Sequence, residues 1–522
     1  MSDPKPPDIL AVYAGAQPEK AAMIDDRPDG RITRWSYAEL NARTNRLAHR
    51  MQALGVRPRD RVIWCGMNSA EVVAMSHAAR KIGATAVPLN YRLSPDEAAY
   101  VVDNSDAVFA WVDADQSELF AGIRARIPKV REVAIYGGKP AAGQLDANAW
   151  LDDGDTAEPK VGETEAAEAA TMIYTSGTTG NPKGAVRRGV GDPAQTAALL
   201  QLIGYVPADV YLSTGPLYHS GPGGFMGVAY ALGNTVVLQR KFDPEDWLRL
   251  VQKYRVTTTF SAPTPIRMIC NLPAETKAKY DRSSMKRMIA NAAPWSFALK
   301  QAYLADFPAD SLFEVYGSTE LGVNSVLEPK DQLRKPGSCG KPSPGVEVKL
   351  IDDDGNEVTK PNQPGELFVR SKGVFSTYHK AQEKYEADTR GDFHTVGDVA
   401  YRDEEGFLFI CDRKKDMIIS GGMNIYPAEI EAAIEAHPDV YDVAVIGIPS
   451  DEWGESVHAI VVVQPGRTLG ADAVVAYARE HLASYKIPRS VSFLPELPRT
   501  GSGKILKRVL REPYWEGQGR RV

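Results

Sequence analysis

Eleven residues, Tyr174-Thr-Ser-Gly-Thr-Thr-Gly-Asn-Pro-Lys-Gly184, hold the densest set of groups able to grip an anion. Thr175, Ser176, Thr178 and Thr179 supply hydroxyls, Gly177, Gly180 and Gly184 let the backbone approach closely, and Lys183 adds a mobile cation. That composition suits a polyphosphate such as that of ATP. Many Gly/Ser/Thr clusters are plain surface turns, but here Ala170 to Tyr174 is short and apolar, which predicts a buried strand feeding the loop. A Walker loop is excluded, because Pro182 precedes Lys183 and Gly184 follows it, where that motif needs Gly-Lys-Ser/Thr.

The elements that must position this loop read as α/β. Trp35 to about Val112 alternates amphipathic and apolar pieces: a helix over Tyr37 to Leu54, a strand over Arg61 to Trp64, a helix over Ser69 to Ile82. Between Asp146 and Glu168 eight acids stand against one lysine, which reads as a solvated connector. The alternation resumes with a helix from Asp243 to Tyr254 and strands over Thr257 to Ser261 and Leu312 to Tyr316. Near Val346 short strands separated by Gly, Asp and Asn turns predict a meander or barrel-like element. A second unit starts near Arg413, with helices at Pro427 to Glu435 and Ala471 to Leu482 and strands at Val440 to Ile448, His458 to Val463 and Ser490 to Phe493. The fold class is therefore α/β, a large multi-layer N-terminal domain (1–412) with a barrel-like element, then a small α+β domain (413–522).

Size and composition narrow the partners. The 522 residues, 43% hydrophobic and 25% charged with a net charge of −6, give no reason to expect nucleic acid. Four cysteines, Cys65, Cys270, Cys339 and Cys411, form no CxxC pair, so a disulfide framework and a zinc site are both disfavoured and a reducing cytoplasm fits. No run of about eighteen apolar residues suggests a membrane span. Peripheral membrane contact and a homodimer stay open.

Further segments follow the loop in a fixed order: Pro216-Leu-Tyr-His219, Tyr316-Gly-Ser-Thr-Glu320, Thr395-Val-Gly-Asp398, the run from Asp412-Arg413 to Tyr426-Pro427, and Pro498-Arg-Thr-Gly-Ser-Gly-Lys504. With them the chain resembles the AMP-forming acyl-CoA synthetases, the superfamily of firefly luciferase and peptide-synthetase adenylation domains, over nearly its whole length. The resemblance implies a carboxylic acid, ATP with Mg²⁺, and coenzyme A as the small-molecule partners. It implies two α/β sheets in the large domain, a mobile small domain, and an acyl-adenylate formed with pyrophosphate release, then a thioester with AMP release.

Roles follow residue by residue from the same resemblance. Glu320 would hold Mg²⁺, Thr319 would bond the α-phosphate, Asp398 both ribose hydroxyls, and Tyr316, next to Gly317, would stack on adenine. Ala292, Ala293 and Pro294 would line the adenine and acyl pocket, Arg413 would reach ribose or phosphate, and His219 would sit beside the acyl carboxylate. Lys504 would swing in for adenylation and leave afterwards, as the small domain turns about Lys415. Gly421 and Gly422 would line the pantetheine tunnel, and Trp453 would meet the CoA nucleotide; Tyr485 and Lys486 are weaker candidates. Glycines at 221, 223, 224 and 227 suggest a wide pocket for a medium, long or polycyclic acyl group, or else tight helix packing. Arg187-Arg188-Gly189 departs from the Thr-His pair of many relatives. Delivery of the acyl group to a carrier protein, and a nucleotide sensor without turnover, remain the alternatives.

Overall fold

In the computed structural model, residues 8–162, 169–175, 182–188, 192–293, 295–499 and 504–516 are described. The apolar runs of the first half become strands of two large sheets. One has eight strands, in which Arg61–Cys65, Thr85–Leu89, Ala107–Asp113 and Glu132–Tyr136 pair in parallel, and Ala170–Thr175 joins parallel to Thr85–Leu89. The other has nine, with Val210–Ser213, Thr235–Leu238, Thr258–Ser261, Arg287–Ala290 and Leu312–Ser318 parallel at its centre. Parallel strands need both faces covered, which explains their nearly continuous apolar sequence. The helices Tyr37–Ala53 and Ala70–Lys81 provide part of that cover. A single buried cluster joins them to Trp64 and Phe109 of the first sheet and to Met23, Val236 and Ile289 of the second.

Helix starts are written locally. Ser36 accepts from the Glu39 backbone N–H while the Glu39 side chain accepts from Ser36, a reciprocal cap worth about 1 kcal/mol. Ser69 and Asp243 cap Ala70–Lys81 and Pro244–Tyr254 through their side chains, and each helix begins one residue inside the predicted start.

The barrel-like expectation corresponds to a six-stranded sheet that includes Glu347–Ile351, Gly365–Arg370, Asp398–Arg402 and Leu408–Arg413, all antiparallel to their neighbours. Arg413 is its last paired residue, opposite Asp398. After a turn the chain enters the small α+β domain, where Ile418–Ser420, Met423–Ile425, Val440–Ser450, Gly454–Val463 and Ser490–Phe493 form a five-stranded sheet. Helices Pro427–Glu435 and Ala471–His481 close its own core around Ile418, Ile430, Val445 and Val461. The final helix is Lys507–Trp515.

The described part of the acidic connector is solvated as expected, with Asp146, Asp152, Asp153, Asp155 and Glu158 exposed. It is nonetheless anchored to the first helices: Ala147 and Leu151 are buried, and Glu158 accepts from Lys81 at 2.6 Å and from Asn41 and Asn45. The Lys81 ammonium is almost fully buried, so a carboxylate beside it offsets a charge otherwise stranded in the core. Among the described residues, no helix is long and apolar enough to cross a membrane.

Candidate active site

Ligands of open α/β sheets sit beyond the carboxyl ends of the strands, and the motif residues gather there. Thr175 ends the strand Ala170–Thr175, Thr319 and Glu320 form the turn after Leu312–Ser318, and Asn291 and Ala292 follow Arg287–Ala290. Glu320 is buried at 8% exposure, and its Oε1 accepts from Thr175 Oγ1 at 3.0 Å and from the Tyr378 hydroxyl at 3.2 Å. Both bonds fall on one oxygen; among the described residues none reaches Oε2. Thr319 Oγ1 shares a 2.8 Å bond with Ser220, and its carbonyl accepts from Arg187 Nη1 at 2.7 Å. Arg187 also donates to the Gly373 carbonyl, bracing the turn from behind. Burial lowers the Arg187 pKa while Glu320 opposes the shift.

Asp398 organises a second group. It is 7% exposed; its Oδ2 accepts from the Tyr316 hydroxyl at 2.5 Å and its Oδ1 lies 3.3 Å from Arg413 Nε. Burial and the neighbouring Asp398 carboxylate push the Tyr316 phenol well above its ordinary pKa, so it stays a donor. Burial alone would lower Arg413, but Asp398, Asp416 and Glu320 outweigh it and hold the guanidinium charged.

Lys504 and His219 close the cleft from opposite domains. Burial draws the His219 imidazole down to about 4, with the Lys504 and Arg92 charges adding to the shift, so the ring is neutral at pH 7. Its Nε2 is buried and has no hydrogen-bond partner among the described residues, an atom suited to meeting a ligand. Lys504 lies in an enclosing cleft yet keeps solvent access. Enclosure and Arg413 lower its ammonium pKa, whereas Asp398 and Glu320 raise it. One lysine thus shares an electrostatic field with the histidine, both carboxylates and the arginine.

The glycines after His219 divide by face of the helix Ser220–Ala231. A Cβ at Gly221 would lie 2.2 Å from the Phe260 ring and one at Gly223 would lie 2.7 Å from the Leu217 carbonyl, whereas among the described residues Gly224 and Gly227 meet nothing within 4 Å. Tight packing explains the first pair and open space the second. Gly221→Ala should therefore cost about 1–3 kcal/mol through overpacking, whereas Gly227→Ala should gain about 0.5–1 kcal/mol of helix stability. Thermal melts of the two variants check this; a Gly221→Ala melt matching the parent would rule out the tight contact.

In the small domain, Gly421 and Gly422 occupy the two-residue turn of a hairpin pairing Ser420 with Met423, with φ of 57° and 78°. Both positions are left-handed, the signature of a type I′ turn, and a Cβ on Gly421 would lie 2.7 Å from Trp453. Trp453 stacks under Arg489 at 4.5 Å, and its buried Nε1 has no partner among the described residues. Lys415 is central to the turn between the two sheets, where Asp416 N–H donates to the Arg413 carbonyl at 2.8 Å. Surrounding protein lowers its ammonium to about 8, although the side chain is partly in water. Lys486 pairs with Glu429, and Tyr485 is exposed.

Lys183 pairs across the strands with Thr175. Ser176, Gly177, Thr178, Thr179 and Gly180, together with Pro294, lie outside the described residues. Ala292 adopts a left-handed φ of 73°, strain of the order of 1–3 kcal/mol that clusters at functional sites, and Asn291 holds it by bonding the Ala292 N–H and the Val315 carbonyl. Gly317 continues the strand that carries Tyr316. Sequence motifs do not single out Tyr378, Ser220 or Arg187 as site residues. Only Arg187 leaves a trace, as a departure from the usual pair.

Residues 10–379 match the family described as AMP-binding enzyme, and residues 429–504 match the AMP-binding enzyme C-terminal domain. The indoleacetate–CoA ligase of Aromatoleum aromaticum is 34% identical over 504 residues, covering 96% of each chain. The long-chain-fatty-acid–CoA ligase FadD13 of Mycobacterium tuberculosis is 33% identical over 508 residues, covering 97% of this chain and 98% of its own. Among solved structures, the o-succinylbenzoate CoA synthetase of Bacillus subtilis in complex with the acyl-adenylate OSB-AMP superimposes with a TM-score of 0.82 at 29% identity, over 97% and 98% of the two chains.

Proposed function

The chain belongs to the AMP-binding enzyme family and is an ATP-dependent, AMP-forming acid–CoA ligase, and from that premise we propose which residues perform each step and what acyl group they accept. The observation that carries the assignment is the gathering of the motif residues: Glu320 accepts from Thr175 and Tyr378, Asp398 is held by Tyr316 and Arg413, and Lys504 and His219 lie within electrostatic reach of each other. In the first half-reaction an acyl carboxylate oxygen attacks the α-phosphorus of ATP and the bond to pyrophosphate breaks. Two anions must approach, so positioning and charge neutralisation dominate. Lys504 meets the carboxylate and α-phosphate, Thr319 offers its hydroxyl to the same phosphate, and neutral His219 presents Nε2 to the acyl end. Asp398 takes the ribose hydroxyls, Tyr316 flanks the adenine, and Lys183 with the loop before it steadies the departing phosphates.

Mg²⁺ binds by one or two carboxylates plus substrate phosphates, and a lone buried Glu320 whose Oε1 is already oriented by two hydroxyls fits that habit. When bound, the ion supplies charge neutralisation at the phosphates. In the second half-reaction the CoA sulfur attacks the acyl carbon and the bond to AMP breaks. We assign that step to the small domain after it turns about Lys415, with the chain before the hinge fixed and the chain after it moving. Gly421 and Gly422 then leave space for the pantetheine, and Trp453 faces the CoA nucleotide. Four free cysteines fit a cytoplasmic setting.

For the acyl group, the reading is a medium, long or polycyclic acid. Phe225 stacks between Tyr205 and Phe260 at 6.4 and 5.4 Å, half-buried Leu199, Val228, Ala292 and Val323 pack against the same apolar cluster, and Gly224 and Gly227 leave open space. The relatives named for indoleacetate and for long-chain fatty acids point the same way. Thioester formation across acetate, octanoate, palmitate and indoleacetate tests it. Acetate should be the poorest; acetate as the best acid would overturn the reading.

A further inference from the structure

Far from the crossing turn, a second contact joins the two domains. Arg267 stands on the helix Pro263–Cys270 of the large domain, and every group it grips belongs to the small one. It forms an ion pair with Glu435, donates through Nη1 to the Tyr441 carbonyl at 2.9 Å, and lies 3.9 Å from Asp442 Oδ1, with its guanidinium 6.0 Å from the Tyr441 ring centroid. The other oxygen of Asp442 accepts from Arg499. Arg499 bridges to Ile505 across the segment that presents Lys504, where Leu506 N–H also donates to the Pro498 carbonyl at 2.8 Å. The four side chains are only 13–26% exposed, two cations against two acids.

We propose that Arg267 is a positioning residue for the first half-reaction, a latch that holds the small domain in the orientation that brings Lys504 to the nucleotide. The latch rests on the proposed function, in which Lys504 serves adenylation and the small domain turns afterwards. Its partners, Glu435, Tyr441 and Asp442, sit together on the moving unit, while Arg267 stays on the fixed one. Turning about Lys415 withdraws all three at once, so the latch lowers the free energy of one orientation and contributes nothing to the other. A contact that differs between two states shifts their populations by that difference. Burial pushes the Glu435 carboxyl up, with Arg267 opposing, so removing the arginine leaves a poorly solvated acid that no longer favours this orientation.

The test measures the half-reactions separately with the acid favoured by the panel: single-turnover acyl-adenylate formation without CoA, and thioester formation from supplied acyl-adenylate with CoA. Arg267→Ala should slow the first by about 5–30-fold and leave the second within about twofold. Arg267→Lys should recover part of the loss, since a cation still faces Glu435. Equal loss in both steps, or loss in neither, overturns the latch. Should Arg267→Ala fail to fold, Glu435→Gln is expected to give the same split, and the absence of that split overturns the latch equally. Lys504→Ala run in parallel separates the two readings: if it spares adenylation the underlying assignment fails, and if it alone shows the split only the latch fails.

Discussion

Lys504→Ala is expected to slow acyl-adenylate formation by about 10²–10³, the usual cost of removing one donor aimed at transition-state charge. Thioester formation from supplied acyl-adenylate should stay unchanged, because the proposed turn of the small domain takes the lysine out of the nucleotide cleft. The structure strengthens the expectation. Lys504 feels Asp398, Glu320 and Arg413, and its charge reaches His219 on the opposite wall. Its solvent access in the cleft means that a substrate can reach it without dismantling the core. Rapid-quench measurement of AMP-linked product in each half-reaction reads the split directly. Equal losses in both would remove Lys504 from its role.

The second large effect concerns Asp398. Its carboxylate is buried and already held at both oxygens by Tyr316 and Arg413, so it is preorganised rather than free to turn. Hydrogen bonds to a charged group contribute about 1.5–3 kcal/mol each, and the proposed role gives this one two ribose hydroxyls. Asp398→Ala should therefore weaken AMP binding by about 10²-fold, measured by calorimetry on protein whose melt shows it folded. Asp398→Asn keeps one acceptor and should fall between. Tyr316→Phe separates positioning from contact: it frees one carboxylate oxygen and should weaken AMP less than Asp398→Ala does. An AMP affinity within about threefold of the parent for the alanine variant would contradict the ribose assignment.

Strand and helix order was legible because burial leaves a period. Pro427–Glu435 and Ser490–Phe493 run as their patterns predict, since each has one apolar face and a clear punctuation mark at its start. The anchors of the acidic connector were not legible because they are sparse: Ala147, Leu151 and a carboxylate reaching a lysine far away in sequence leave no local pattern. The site follows the same logic. Glu320 and Asp398 stand in ordered motifs, but Tyr378 reaches Glu320 from an unrelated strand, and Ser220 reaches Thr319 from a helix start. Contacts between distant segments carry no periodicity, so pairing alone reveals them. The glycines after His219 show a related limit: residue type gives the missing side chain, whereas only packing tells that Gly221 is pressed against Phe260 and Gly227 is not.

The central claim is that a carboxylic acid is first joined to AMP and then handed to CoA at one site. The most direct measurement follows AMP and pyrophosphate from ATP and Mg²⁺ with and without acid and with and without CoA. The account predicts pyrophosphate release that depends on the acid, a burst of bound acyl-adenylate without CoA, and sustained AMP release with an equal amount of acyl-CoA once CoA is present. Acid-independent nucleotide binding with no pyrophosphate under any condition would contradict it.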